Sequence, residues 1–250
     1  MSFAKPAIPS FIPPRRTLMG PGPSDVPQRV LDAMARPTIG HLDPAFSEMM
    51  EQTKAPLRYA FQTENKLTFP VSGPGSVGME TCFVNLVEPG DKVIVCVNGV
   101  FGGRMLENVK RCGGVPVVVE DAWGAPVDPA KVEAAFAANP DARVLAFVHA
   151  ETSTGAQSDG AALGALAHRH GALSIMDCVT SLGGTPVLID QWGIDAAYSG
   201  SQKCLSCTPG LSPVTFGGRA IDKVKARKTP VQSWFMDLNL VLGYWSGEGK

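Results

Sequence analysis

The rest of this sequence is best understood as support for one segment, AAYSGSQK, from Ala196 to Lys203. A short apolar run ends in small hydroxyl and glycine residues, and a lysine follows before the turn signal Thr208-Pro209-Gly210. Small residues allow a bulky ligand to approach the backbone closely, and an amine at the end of a strand can form an imine with an aldehyde. Lys203 is therefore a candidate catalytic residue, and the alternative is a lysine on a surface loop.

A carboxylate ends another apolar run upstream. The run ALSIMD, from Ala172 to Asp177, precedes CVTSLGG, from Cys178 to Gly184. Open α/β sheets bind ligands at the carboxyl ends of their strands, so Asp177 lies where a ligand is expected. Pyridoxal phosphate needs such an acid, because a carboxylate paired with its ring nitrogen keeps the ring protonated and able to accept electrons. The alternative for Asp177 is a helix cap or a turn residue.

The two segments together closely resemble the class V pyridoxal-phosphate aminotransferases. The motifs are SGSQK (Ser199–Lys203) and DCVTSLGGTP (Asp177–Pro186), and the nearest match is to the alanine–glyoxylate and serine–glyoxylate (serine–pyruvate) enzymes. The likeness begins at GPGPS (Gly20–Ser24) and runs to the end of the chain. The resemblance implies the fold-type-I α/β architecture, pyridoxal 5'-phosphate as cofactor, and a homodimer that acts on small amino acids and 2-oxo acids. It also implies that Lys203 forms the internal aldimine and then shuttles the proton, while Asp177 holds the ring nitrogen protonated.

Composition suits one globular α/β domain. The 250 residues are 44% hydrophobic and 18% charged, which is enough for a large core. The net charge of −1 does not indicate nucleic acid or a membrane surface as a partner. No stretch approaches the length of a transmembrane helix. We therefore expect a cytoplasmic protein, although an organelle address at a missing C-terminus would not be visible.

The six cysteines mostly lie inside apolar runs, which is typical of reduced core residues. Cys204 and Cys207 form a Cys-x-x-Cys pair, but no second pair and no nearby histidine accompany it. We therefore expect no metal site and no redox function there.

Apolar runs alternate with helical patterns, which predicts a mostly parallel sheet flanked by helices. Strands are predicted at 67–71, 92–97, 115–119, 144–149, 173–177, 196–199 and 211–216. Helices are predicted at 27–34, 43–61, 103–112, 129–138 and 160–170. Pro56 is expected to interrupt the helix at 43–61, and Asp128 and Asp159 are expected to begin helices.

Two domain-level expectations follow. Residues 1–19 are rich in proline and predict an extended N-terminal arm, and residues 20–250 predict the pyridoxal-phosphate-binding large domain. The chain ends at 246–250 without a closing element, whereas members of the resembled family continue into a small C-terminal domain. We therefore expect that domain to be missing here, together with the arginine that holds the substrate carboxylate. Arg104 and Arg219 do not match that role.

A glycine-rich segment, SGPGSVGME from Ser72 to Glu80, precedes a helical pattern at 81–87. A turn of this kind that opens a helix presents free N–H groups and a positive dipole end to an anion. The alternative is an ordinary loop with a helix cap. The resemblance places the cofactor phosphate at Gly75 and Ser76.

The remaining cofactor contacts rest on the resemblance. Phe101, just past a strand, is expected to stack on the cofactor ring, where the family often has tryptophan; a core aromatic is the alternative. Thr152 is expected to hydrogen-bond the ring oxygen. Ser201 and Gln202 are expected to donate to the phosphate, with Ser199 as a weaker candidate. We interpret His149 as a residue that holds its loop in place, because Lys203 already supplies the base.

Three functions are compatible with these residues. The first is transamination between alanine or serine and glyoxylate or pyruvate. The second is a class V lyase or desulfurase, which needs a reactive cysteine on a mobile loop; Cys204 and Cys207 instead lie beside the lysine. The third is a truncated, non-catalytic fragment that binds the cofactor weakly or only dimerises.

Overall fold

The computed structural model describes residues 4–245, so the predicted abrupt end at 246–250 lies outside the described residues. The strands are β1 (Leu67–Ser72), β2 (Lys92–Val97), β3 (Val115–Glu120), β4 (Val144–Val148), β5 (Leu173–Asp177), β6 (Ala196–Tyr198) and β7 (Leu211–Phe216). The helices are α1 (Gln28–Met34), α2 (Pro44–Phe61), α3 (Gly75–Leu86), α4 (Val100–Arg111), α5 (Pro129–Ala138), α6 (Gly160–Arg169), α7 (Ile189–Trp192), α8 (Gly218–Lys225) and α9 (Leu238–Trp245).

Within the described residues the seven strands form one sheet in the order β1-β7-β6-β5-β4-β2-β3. Strands β3, β2, β4, β5 and β6 pair in parallel, whereas β7 is antiparallel to both of its neighbours, β6 and β1. The predicted mostly parallel α/β sheet is therefore confirmed. Since β7 is antiparallel to both β1 and β6, β1 is parallel to β6 and ends at the same edge of the sheet.

The central strands are buried on both faces, which explains why their sequences are continuous apolar runs and not alternating ones. Every residue of β4 (VLAFV) and β5 (LSIMD) is buried. One core cluster, which includes Phe83, Val95 and Tyr198, packs on one face. A second cluster, which includes Phe136 and Phe147, packs on the other. The sheet is thus a rigid layer between two sets of helices.

Aspartates begin three of the helices, as the sequence predicts for two of them. The side chains of Asp43, Asp128 and Asp159 accept hydrogen bonds from backbone N–H groups in the first turns of α2, α5 and α6. Each carboxylate satisfies an N–H group that has no acceptor within its helix. The sequence therefore determines these helix starts locally.

The prediction that Pro56 interrupts its helix is wrong. Helix α2 is continuous over 18 residues and includes Pro56. Proline removes the hydrogen bond to the carbonyl of Gln52, but both residues lie on the exposed side of the helix. Water can therefore hydrate that carbonyl, and the cost of the missing bond is too small to end the helix.

Residues 4–19 contain no helix or strand and are exposed throughout. None of the helices in residues 4–245 combines the length and the hydropathy needed to cross a membrane.

Candidate active site

A pocket of about 200 Å³ lies at the carboxyl edge of the parallel strands. Six of the residues that line it are predicted site residues: Gly75, Ser76, Phe101, Asp177, Gln202 and Lys203. Five others line it as well: Pro74, Met79, Arg104, Val179 and Tyr198. The fold therefore brings together segments that follow β1, β2, β5 and β6, as expected for a ligand site in an open α/β sheet.

Asp177 is the buried carboxylate of this pocket. It is the last residue of β5 and is 2% exposed. Its Oδ1 accepts from the backbone N–H of Val179 at 2.8 Å, and its Oδ2 accepts from the hydroxyl of Tyr198 at 2.8 Å. Burial raises the pKa of Asp177 to about 6, although these two hydrogen bonds and the Lys203 ammonium act in the opposite direction. A cation placed beside Asp177 would offset most of the free-energy cost of burying its ionised carboxylate.

Tyr198 is a site residue that the sequence analysis does not identify. It is fully buried, and it faces Asp177 because the two residues are paired in register across β5 and β6. The signal was present in the sequence, since both residues stand at the ends of successive predicted strands. The contact itself depends on β5 and β6 being neighbours in the sheet.

Lys203 lies in the turn after β6, and its amine reaches back to the N-terminal part of the chain. Its Nζ donates to the carbonyl of Pro21 at 2.9 Å. The hydroxyl of Ser24 donates to the carbonyl of Lys203 at 2.8 Å, so this segment holds both ends of the lysine. Burial lowers the pKa of Lys203, and Asp177 partly offsets that effect. A larger fraction of the amine is therefore neutral, which a base or nucleophile requires.

The segment Pro21–Ser24 is packed closely against this lysine. A side chain at Gly22 would place its Cβ 2.4 Å from the Cδ of Lys203, and the backbone there has φ +127°. Only glycine combines that conformation with that close approach. The GPGPS motif therefore supports Lys203 from behind, although none of its residues lines the pocket.

Helix α3 begins at Gly75, so Gly75 and Ser76 form its first turn and not a separate loop. The first N–H groups of a helix have no acceptor within it and favour an anion. A Cβ on Gly75 would lie 3.2 Å from Cγ2 of Val179, so glycine keeps this end of the helix open. Gln202 also lines the pocket, and its Oε1 is buried without a hydrogen-bond partner among the described residues. The start of α3 is thus the anion-binding end of the pocket, whereas the Oε1 of Gln202 is an acceptor that would pair with a donor.

Phe101 lies in the first turn of α4, which begins at Val100 and not at 103 as predicted. The guanidinium carbon of Arg104 lies 4.7 Å from the centre of the Phe101 ring. The sequence analysis assigns Arg104 no role, yet it lines the pocket beside Ser76. It adds a cation to the end of the pocket that favours an anion.

Three predicted residues lie near the pocket but do not line it. The hydroxyl of Thr152 is hydrogen-bonded to that of Thr180. The hydroxyl of Ser201 donates to the carbonyl of Thr208 at 2.6 Å, so its single proton is already used within the 201–211 turn. Ser199 is buried, and its hydroxyl donates to the carbonyl of Cys178 at 3.3 Å.

His149 is buried and holds its loop. Its Nδ1 is hydrogen-bonded to the hydroxyl of Ser181 at 2.9 Å, and its ring meets Trp192 edge-on at 5.2 Å. Burial lowers the pKa of His149, which favours a neutral ring. These contacts agree with the interpretation of His149 as a loop residue.

Other polar groups considered from the sequence lie elsewhere. Arg219 pairs with Asp195 at 3.2 Å and donates to the carbonyl of Ala172, so it is part of the opposite edge of the sheet. All six cysteines lie within the described residues and are free thiols; Cys204 is exposed and donates to the carbonyl of Thr180 at 3.0 Å. No group of three or more potential metal ligands occurs within residues 4–245.

The donor set fits pyridoxal phosphate. At one end, the start of α3, the hydroxyl of Ser76, the Gln202 amide and the Arg104 cation suit a phosphate. At the buried end, Asp177 suits a protonated ring nitrogen. An amine with a lowered pKa lines the same pocket.

Sequence comparison supports the same grouping. The family model for class-V aminotransferases matches residues 17–231. An alanine–glyoxylate aminotransferase of Oryctolagus cuniculus is 42% identical over 238 residues, which cover 95% of this chain and 60% of that protein. An (S)-ureidoglycine–glyoxylate transaminase of Bacillus subtilis is 36% identical over 251 residues, which cover 93% of this chain and 60% of that protein.

Structural comparison agrees. The crystal structure of an alanine–glyoxylate aminotransferase from Nostoc sp. superposes with a TM-score of 0.93 at 44% identity, covering 96% of this chain and 63% of that one. The chain therefore spans about 60% of the length of the relatives it matches.

Proposed function

The chain belongs to the class-V aminotransferases, a family of pyridoxal-phosphate enzymes, and from this we propose that it transfers an amino group from alanine or serine to glyoxylate or pyruvate. The observation that carries the proposal is the meeting of Asp177, Lys203 and the start of α3 in one pocket. A buried acid, an amine and an anion-binding helix start are the three groups that hold the ring nitrogen, the aldehyde carbon and the phosphate of pyridoxal phosphate.

The cofactor, when bound, supplies an aldehyde that condenses with amines and a protonated ring that accepts electron density. Asp177 would hold the ring nitrogen, and the start of α3 with Ser76, Gln202 and Arg104 would hold the phosphate. Phe101 would lie against the ring. We retain Thr152 and Ser201 as proposed contacts that need a change in their present hydrogen bonds.

Lys203 is proposed as the base. Its Nζ would accept the proton from the substrate Cα and return it at a different carbon. The hydrogen bond to the carbonyl of Pro21 orients this amine when it is free. Burial in the pocket lowers the pKa of Lys203, which favours the neutral amine that acts as the base.

Glyoxylate is the favoured amino acceptor, because it appears in the names of both the alanine-specific and the ureidoglycine-specific relatives. The proposed amino donor is alanine, with serine as the second candidate.

We also propose a homodimer. Ile8, Phe11, Ile12 and Met19 are 81–88% exposed, and helix α1 buries none of its side chains. Apolar surface of this kind is typical of an interface between subunits. In this proposal residues 1–19 are an arm that contacts a partner and residues 20–250 are the cofactor-binding domain. The proposed compartment is the cytoplasm, where free thiols such as these six persist.

The test is titration of the full-length protein with pyridoxal phosphate, followed by borohydride reduction and peptide mapping. We expect a visible absorption band, with the reduced adduct on Lys203, and a loss of that band on addition of alanine. Glyoxylate should then restore it. A visible band that alanine leaves unchanged would favour the non-catalytic fragment, and no band would refute the proposal.

A second assay, with cysteine as substrate, distinguishes a desulfurase from a transaminase. With cysteine as substrate, a desulfurase would release sulfide and alanine, whereas a transaminase would not. Four of the six cysteines are buried, and Cys204 donates to the carbonyl of Thr180. These positions do not favour a thiol on a mobile loop. Sulfide release that is abolished by Cys204→Ser would overturn the transaminase assignment.

A further inference from the structure

We propose that Glu151 is a positioning residue that holds Phe101 in place in the pocket; the inference rests on the proposed function. Glu151 follows β4 and is 1% exposed, so its carboxylate is almost fully removed from water. It does not line the pocket, and the resemblance to the family implies no role for it. Its importance comes from what its two oxygens bind.

The carboxylate joins two segments that are far apart in sequence. Its Oε2 accepts from the N–H groups of Phe101 at 3.1 Å and Gly102 at 3.3 Å, in the first turn of α4. Its Oε1 accepts from the N–H group of Ser153 at 3.1 Å and from the Ser153 hydroxyl at 2.7 Å. That hydroxyl accepts in turn from the N–H of Val100 at 3.0 Å. The turn after β4 is thereby tied to the residue that lies in the pocket.

The connection is also tight sterically. A Cβ on Gly99 would lie 2.4 Å from Cγ of Glu151 and 2.7 Å from the hydroxyl of Ser153. The turn itself is closed by the N–H groups of Thr154 and Gly155, which donate to the carbonyl of Glu151. There is thus little room for the side chain to shift, and its position determines that of α4.

The charge of Glu151 is suited to this role. A carboxylate at the first turn of a helix satisfies orphan N–H groups and interacts favourably with the helix dipole. Every one of its four partners is a donor, so an amide in its place would turn an NH₂ group toward N–H or O–H donors. Glutamine at this position should therefore loosen the first turn of α4 even though its shape is nearly the same.

The matched control is Glu88, which makes an equivalent set of contacts away from the pocket. Its carboxylate accepts from the N–H groups of Lys228 at 2.8 Å and Thr229 at 3.0 Å, from the Thr229 hydroxyl, and from Nζ of Lys223. Both Glu151→Gln and Glu88→Gln should lower stability, because each disrupts four hydrogen bonds to a carboxylate. Only the first should affect the pocket.

Two readouts test the proposal. In hydrogen exchange of the cofactor-free chain, the peptide that carries Phe101 and Gly102 should exchange at least about tenfold faster in E151Q than in wild type and E88Q. The Kd for pyridoxal phosphate should rise roughly tenfold in E151Q, about 1.4 kcal/mol, and the visible circular dichroism of the bound ligand should weaken. Equal behaviour of E151Q and E88Q in both readouts would overturn the inference.

A second variant covers the case in which E151Q does not fold. Ser153→Ala removes one donor to Oε1 and should give the same effects at about threefold magnitude; wild-type exchange and Kd in S153A would then overturn the proposal. A wild-type chain that gives no visible band would refute the proposed function, and this inference with it. A normal band in wild type with an unchanged Kd in E151Q would refute the positioning role alone.

Discussion

Replacing Asp177 with asparagine should stabilise the cofactor-free protein at neutral pH while abolishing amino transfer. Burial raises the folded pKa of Asp177 to about 6, compared with an ordinary value of 3.8. A carboxyl with a raised folded pKa binds its proton more readily in the native state, so stability is lost as pH rises from about 4 to about 6. The difference of about 2 between the folded and the ordinary pKa means that burying the ionised carboxylate costs about 3 kcal/mol of stability above pH 7.

Asparagine should keep the contacts of Asp177 without the charge. Its Oδ1 can accept from the N–H of Val179, and its Nδ2 can donate to the oxygen of Tyr198. The variant therefore removes the cost of burying an anion, which outweighs the loss of the acceptor for the Tyr198 hydroxyl proton. It also removes the group that would hold a protonated ring nitrogen, so pyridoxal phosphate should still bind, but the half-reaction with alanine should be nearly lost.

The assay is urea denaturation of both cofactor-free proteins between pH 4 and pH 8. The stability of D177N relative to wild type should increase by up to about 3 kcal/mol between pH 4 and pH 7. Glu88→Gln is the control, because burial raises the pKa of Glu88 but Lys223 and the N–H groups of Lys228 and Thr229 outweigh it and lower the pKa to about 2. Its contribution is lost only as pH falls below about 4.5, so E88Q should differ from wild type by a constant amount above pH 5. A difference between D177N and wild type that does not change with pH would refute the reasoning.

Three further variants test the pocket. Lys203→Arg should yield no reduced adduct after borohydride treatment with pyridoxal phosphate; an adduct at full yield would place the reactive amine elsewhere. Gly75→Asp should raise the Kd for pyridoxal phosphate at least about 30-fold, since it adds a negative charge and a clash at the start of α3. The control Gly218→Asp should leave that Kd unchanged, because Gly218 begins α8 and a Cβ there has no atom within 4 Å. Tyr198→Phe should cost about 1.5–3 kcal/mol at pH 8, where Asp177 is ionised, and less below pH 5; equal losses at both pH values would show that the hydroxyl does not stabilise the carboxylate.

Much of the fold was predictable because its signals are local. Continuous apolar runs such as β4 and β5 indicate strands buried on both faces, and Asp128 and Asp159 begin their helices with their own side chains. The ends of the runs also placed Asp177 and Lys203 at the carboxyl edge of the sheet. Pro56 was misjudged because its cost depends on solvent exposure, which the sequence does not reveal.

Local sequence patterns therefore specify the kind of sheet and the residues that stand at its ligand-binding edge. Which of those residues contact one another depends on the packing of the whole chain. Tyr198 donates to Asp177 because β5 and β6 are neighbours in register, and Glu151 binds the N–H of Phe101 because the turns after β4 and β2 come together. The hydroxyl of Ser201 donates to the carbonyl of Thr208, because the 201–211 turn brings these two residues together. Hydrophobic periodicity specifies which side chains are buried, but strand order and register specify hydrogen-bond partners, and they arise from packing of the whole chain.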